Sequence, residues 1–194
     1  MTEQRSGLPV LAFTSLAALE TWFASQPSDA VGVWIKFARK GAPSTTITKA
    51  EAIDAALCYG WIDGKLEKCG EMYWLARFTP RRSSSKWSLV NRNRTLELVK
   101  QGRMRSAGRA QIDAAKADGR WNLAYAPASR ADVPSDLQSA LKKNPAAAAF
   151  FKALSGRNRY AILYRIGTVK KAETRKRKIS EFVAMLERGE TIHG

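Results

Sequence analysis

The residues best equipped for chemistry stand in two short stretches. One is Cys58-Tyr59-Gly60-Trp61-Ile62-Asp63-Gly64; the other runs from Phe78-Thr79-Pro80-Arg81-Arg82 through Ser85-Lys86-Trp87-Ser88 to Asn91. Gly60 and Gly64 bracket Trp61 and Asp63, which suits a tight turn presenting an indole and an acid from the end of a helix as one wall of a pocket. The competing reading is structural, with Trp61 in the core and Asp63 paired to Arg81 or Arg82 across a hairpin. Cys58 is a poor nucleophile, because a helix-interior cysteine is usually a small buried hydrophobe and only Arg or Lys neighbours could lower its pKa. Arg81, Arg82, Lys86 and Trp87 stand before a helix opened by Ser88. Two guanidiniums, an ammonium and the unpaired N–H groups of a helix start make a site for phosphate or carboxylate. The plainer alternative is a solvated basic loop with Ser88 as an ordinary cap.

A third cluster is the run Lys170-Lys171-Ala172-Glu173-Thr174-Arg175-Lys176-Arg177-Lys178. On a helix, Ala172, Ile179, Val183 and Leu186 form an apolar stripe, with Lys171, Arg175 and Lys178 on a neighbouring face. Such a face can lie along nucleic-acid phosphates or acidic lipid, or be only a solvated surface.

Other chemistries are excluded by composition. The only histidine is His193, so histidine triads, a His-Glu-x-x-His zinc site and multi-histidine iron sites cannot be built. Cys58 and Cys69 have ten residues between them and no third Cys or His nearby, so no structural zinc site is expected. No metal and no cofactor are expected, and two unpaired cysteines suit a reducing, cytoplasmic setting. No window approaches the roughly 18 apolar residues of a membrane span, and the first ten residues do not read as a secretion signal.

The chain resembles the YdeI/OmpD-associated, bacteriocin-protection-like family of bacterial proteins, through CYGWIDG at 58–64, FTPRR at 78–82 with SKWS at 85–88, Gly102-Arg103-Met104, and the basic C-terminal helix with Glu173-Thr174-Arg175. The resemblance implies a protective role in stress or bacteriocin exposure and an unknown protein partner. It implies no reaction, substrate or cofactor.

The elements that must position these residues follow from periodicity. Thr14-Ser15 open a capped helix carrying Leu16, Leu19, Trp22 and Phe23, stopped by Gln26-Pro27. Residues 31–38 alternate as a strand and 39–43 turn. Residues 48–59 form a helix with a Thr48/Glu51 capping box, and 64–79 a hairpin around Cys69-Gly70-Glu71. From Ser88 onward the pattern is helical, with Leu89, Leu96 and Val99 on one stripe of the first helix. The fold class expected is α+β: a small antiparallel or mixed sheet covered by helices, then a basic all-helical C-terminal region. The domains expected are an α+β domain at 1–126, a linker at 127–134 and a helical region at 135–194.

Charge is the anomaly. The chain carries 33 Lys and Arg against 17 Asp and Glu, a net +16 with pI near 10.2. All of the excess lies after Leu75, since residues 77–194 hold 26 basic and 9 acidic side chains. This is the footprint of a polyanion binder, most simply of nucleic acid without sequence preference, with exposed Trp87 or Trp121 stacking on bases. The alternative function is a small-ligand or anion pocket, or an enzyme, using Asp63, Arg81, Arg82 and Ser85.

Overall fold

The computed structural model describes residues 3–27 and 29–194. Its elements run β1 (Gln4–Arg5), β2 (Leu8–Ala12), α1 (Leu16–Ala24), β3 (Val33–Ala38), α2 (Lys49–Cys58), β4 (Trp61–Cys69), β5 (Tyr73–Pro80), α3 (Leu89–Lys100), α4 (Ser106–Ala117), α5 (Ser135–Lys142), α6 (Pro145–Ala153), α7 (Gly156–Gly167) and α8 (Ala172–Glu187). The five-stranded sheet has the order β1-β2-β3-β5-β4, with β2 and β3 parallel and the other neighbours antiparallel. The architecture is α+β with a helical C-terminal region.

The chain folds into two compact units. The first comprises residues up to Ser85 together with Asn93–Ala115, and the second Lys86–Arg92 with Lys116–Gly194. In the first, Val33, Ile35, Phe37, Ala76 and Phe78 on one sheet face pack with Leu19 and Phe23 of α1 and Ala52, Ala55 and Ala56 of α2. On the other face Trp34 and Leu75 are buried with Leu8 and Val10 of β2. β3 is therefore covered on both faces, more than its period-2 alternation implied. Local chemistry sets the helix starts: Ser15 Oγ accepts from Ala18 N–H, and Thr48 and Glu51 form the full reciprocal capping box.

In the second unit, Leu137, Leu141, Phe151, Ile162, Ile166, Ile179 and Leu186 of α5–α8 make a separate core. Ser155 and Asn144 cap α7 and α6 through their side-chain oxygens. Among the described residues no helix is long and apolar enough to cross a membrane.

Three sequence expectations change. The chain opens with β1 and β2, which the polar start concealed because a two-residue strand and a five-residue strand containing Pro9 carry too little alternation. The buried side chains of α3 are Thr95 and Leu98, while Leu96 is 41% exposed. Leu89, Val90, Leu96, Leu98 and Val99 surround that helix with apolar groups, so tertiary neighbours rather than the helix period choose the inward face. Ala172 at the start of α8 is exposed, and the apolar stripe begins at Ile179.

Candidate functional site

Two backbone contacts build a cleft in the first unit. α2 ends at Cys58, and Gly60, at φ +78°, turns the chain directly into β4. A Cβ on Gly60 would lie 3.0 Å from the carbonyl oxygen of Ala107. A Cβ on Gly108 would lie 2.3 Å from the carbonyl oxygen of Cys58. The end of α2 and the start of α4 thus meet backbone against backbone, which only glycine allows. Arg105 N–H donates to the Cys58 carbonyl at 3.1 Å, and Arg81 N–H to the Gly60 carbonyl at 2.9 Å. These bonds bring the end of β5 and the start of α4 to the same turn.

The cleft so formed has a volume of about 610 Å³, inside the range of small-molecule sites. One wall is aromatic. Phe23 stacks on Tyr59 at 5.8 Å and meets Trp61 at 5.2 Å, and Trp22 supports Trp61 edge-on at 5.6 Å. The polar lining includes Gln26, Arg81, Arg105, Ser106 and Gln111. Arg81 is 5% exposed, whereas Arg105 is exposed and its guanidinium lies 6.0 Å from the centre of the Tyr59 ring. Among the described lining residues there is no carboxylate, imidazole or thiol. The cleft can hold a flat apolar body and an anionic group, and offers no evident general base.

The structure distributes the other residues singled out by sequence. Trp61 and Arg81 line this cleft, but Trp61-Ile62-Asp63 is the first part of β4 and not a turn. Asp63 pairs with neither arginine: its carboxylate is 3.2 Å from Lys49 Nζ at the start of α2. Arg82 and Ser85 line a different recess, with Arg82 N–H donating to Ser85 Oγ at 2.9 Å. Lys86, Trp87, Ser88 and Asn91 pack with the second unit. There Ser88 Oγ accepts from Asn91 N–H and the Tyr125 carbonyl accepts from Leu89 N–H, so two N–H groups of the first turn of α3 are already bonded. Lys86 Nζ donates to Thr168 Oγ1 at 2.8 Å and sits 4.5 Å from the centre of the Tyr164 ring.

Trp87 and Trp121 are not available for stacking on bases. They are 2% and 8% exposed and pack on each other at 5.0 Å. Of the C-terminal cations, Arg175 is held by Asp136 and by the Ile166 carbonyl, and Lys170 by the carboxylate and carbonyl of Asp118. Arg177 faces Glu181 at 3.5 Å, while Lys171, Lys176 and Lys178 remain at the surface of α8 or partly exposed.

Cys58 is buried and Cys69 half-buried, and both are free thiols. Burial pushes the Cys58 thiol up, which suits a packing role. Among the described residues no Cys, His, Asp and Glu grouping could hold a metal ion. Sequence reasoning missed Arg105 and Gln111, since an arginine and a glutamine on a basic helix carry no signal until Gly60 and Gly108 bring that helix against α2.

Fold and cleft together define an α+β protein with an aromatic and cationic cleft in its first unit. Residues 11–111, just over half the chain, match the family described as a domain of unknown function, DUF8412, and the chain belongs to that family. Residues 130–189 match a second description, bacteriocin-protection, YdeI or OmpD-associated. The CYGWIDG and FTPRR motifs fall in the first region, and the YdeI/OmpD-associated assignment rests on α5–α8. No curated protein and no solved structure matches the chain.

Proposed function

We propose that the protein binds a small organic anion, with a flat apolar body against Phe23, Tyr59 and Trp61 and an acidic group at Arg81 and Arg105. The observation that carries this reading is the meeting of an aromatic wall and two arginines, Arg81 and Arg105, in one cleft whose described lining holds no acid. A guanidinium in a partly dry site favours a carboxylate or a sulfonate strongly and with geometric selectivity. Ser106 and Ala107 at the start of α4 line the same cleft, and a helix start favours an anion. The role in this reading is binding and not catalysis.

The test is a fluorescence titration with anilinonaphthalene sulfonate, an aromatic sulfonate of the required shape. Wild type should bind it saturably at one site. Arg105→Ala should weaken it about tenfold or more, since a hydrogen bond to a charged group is worth about 1.5–3 kcal/mol. Unchanged far-UV circular dichroism guards against dye uptake by a loosened fold. Equal affinity in both proteins defeats the reading.

A second reading, polyanion binding, is favoured by the second unit, which holds 18 basic and 7 acidic residues. With Trp87 and Trp121 buried, contact with nucleic acid would be to phosphates alone and steeply salt-dependent. Replacing Lys171, Lys176 and Lys178 by Ala should flatten the salt dependence of DNA or RNA binding by up to about three counterions. An unchanged slope in fluorescence anisotropy removes α8 as the contact.

A further inference from the structure

The consecutive arginines of the FTPRR motif serve two different recesses. Arg81 lines the aromatic cleft, and Arg82 lines a second recess of about 290 Å³ that shares Pro80 with it. A β-bulge shapes this second recess. Asp63 pairs with Phe78 and Leu66 with Ala76, so Gly64 and Lys65 together oppose the single residue Arg77. Bulges re-aim side chains beside sites, and this one brings Lys65 and Arg77 to one concavity with Thr79 and Arg82. The loop after β5 is itself fixed, because Arg82 N–H donates to Ser85 Oγ and Ser85 N–H to the Arg82 carbonyl, both at 2.9 Å.

Three cations therefore line a recess whose described lining contains no acid. Lys65 is shared with Glu67, at 2.7 Å, and Glu67 is also paired with Arg5. Arg77 and Arg82 have no acidic partner among the described residues. Crowding like charges costs free energy that a bound anion recovers. Two arginines supply forked donors matched to tetrahedral oxyanions, and the Thr79 hydroxyl adds another donor. The recess has less than half the volume of the neighbouring cleft and is ample for a phosphoryl group.

We propose that this recess binds a phosphate dianion, free or as a phosphomonoester, through Lys65, Arg77 and Arg82. The site stands apart from the aromatic cleft, since none of the three cations lines that cleft.

The experiment titrates the full chain with inorganic phosphate and, separately, with ribose 5-phosphate, at pH 8 and low ionic strength, followed by phosphorus NMR line width and calorimetry. Wild type should bind at least one of them saturably, and tighter ribose 5-phosphate binding would identify the monoester as the source. Arg77→Ala with Arg82→Ala should weaken binding at least tenfold while circular dichroism stays unchanged, because both side chains are exposed. Arg77→Lys with Arg82→Lys should recover part of the loss if charge at this place is what binds. Arg105→Ala, which disables the other cleft, should leave phosphate affinity as in wild type. Absence of binding by wild type, equal binding by the double alanine variant, or loss on Arg105→Ala would each overturn the proposal. So would binding of single-stranded DNA without either phosphate probe, which would make the recess a phosphodiester contact.

Discussion

The two units solve the problem of charge in opposite ways. The first has 15 basic and 10 acidic residues and the second 18 and 7, yet the aromatic cleft and the recess at Arg77 and Arg82 both lie in the first. In the second unit several acids are spent on joining elements. Asp136 in the first turn of α5 binds Arg175 of α8, which also donates to the Ile166 carbonyl near the end of α7. Asp118 holds Arg120 and Lys170. Net charge thus reports how many cations a region carries, while a site depends on where backbone geometry converges a few of them without acids.

If close backbone packing builds the cleft, the largest effect should come from Gly108→Ala. Its new Cβ meets a backbone carbonyl at 2.3 Å, which no rotamer change relieves. A loss of about 3 kcal/mol is expected. Hydrogen exchange should show it in residues of the first unit and leave α5–α8 protected; uniform loss would mean that the two cores fold as one. Gly60→Ala should cost about 1–2 kcal/mol from its left-handed φ alone.

Asp54→Ala should follow, at about 2 kcal/mol. Asp54 is 9% exposed on α2, bound by two nitrogens of Arg94, with Arg103 at 3.8 Å. Its loss leaves two cations facing a packed helix, and the check is thermal unfolding together with the affinity for anilinonaphthalene sulfonate. Stability lost with affinity kept would place this ion cluster in the scaffold.

In the second unit, the expected effect is smaller and depends on pH. The Arg120 backbone N–H and guanidinium, with Lys170, hold the Asp118 carboxyl down at about 2, and Arg175 lowers that of Asp136. A carboxylate whose pKa is lower folded than unfolded stabilises above the unfolded value, near 4, and loses that contribution as pH falls through the folded value. α5–α8 should therefore lose protection progressively below about pH 4. Asp136→Asn should cost about 1 kcal/mol or less at neutral pH, as suits a half-exposed pair, and should flatten the acid limb of a circular dichroism titration. An acid limb unchanged in that variant would remove Asp136 from the linkage.

The smallest effect belongs to Lys171, Lys176 and Lys178. Replacing all three by Ala should move the melting midpoint by less than the equivalent of about 0.5 kcal/mol. A larger loss would show that their stems pack on the α8 surface.

Much of the fold was legible because its signals are local. Ser15, the Thr48/Glu51 capping box and the turn at Cys69-Gly70-Glu71 act within a few residues, and the structure places α1, α2 and the β4–β5 hairpin there. The helical character of residues 135–194 was legible too, and α5–α8 lie there. β1 and β2 were hidden, since strands so short exist only by pairing with each other and with β3.

The candidate sites divide along the same line. The sequence alone determined which residue types were available: a lone histidine, aromatics flanking Gly60, two adjacent arginines, and cations crowding the later part of the chain. Only the tertiary structure decided that Trp61 and Arg81 join Arg105 and Gln111 in one cleft, that Arg82 turns to Lys65 and Arg77 in another, and that Trp87 and Trp121 are buried against each other. The physical reason is range. A cap or a turn is satisfied by neighbours a few residues away, whereas a site needs groups from distant segments, and their meeting depends on close contacts such as Gly108 on Cys58 that no local pattern encodes.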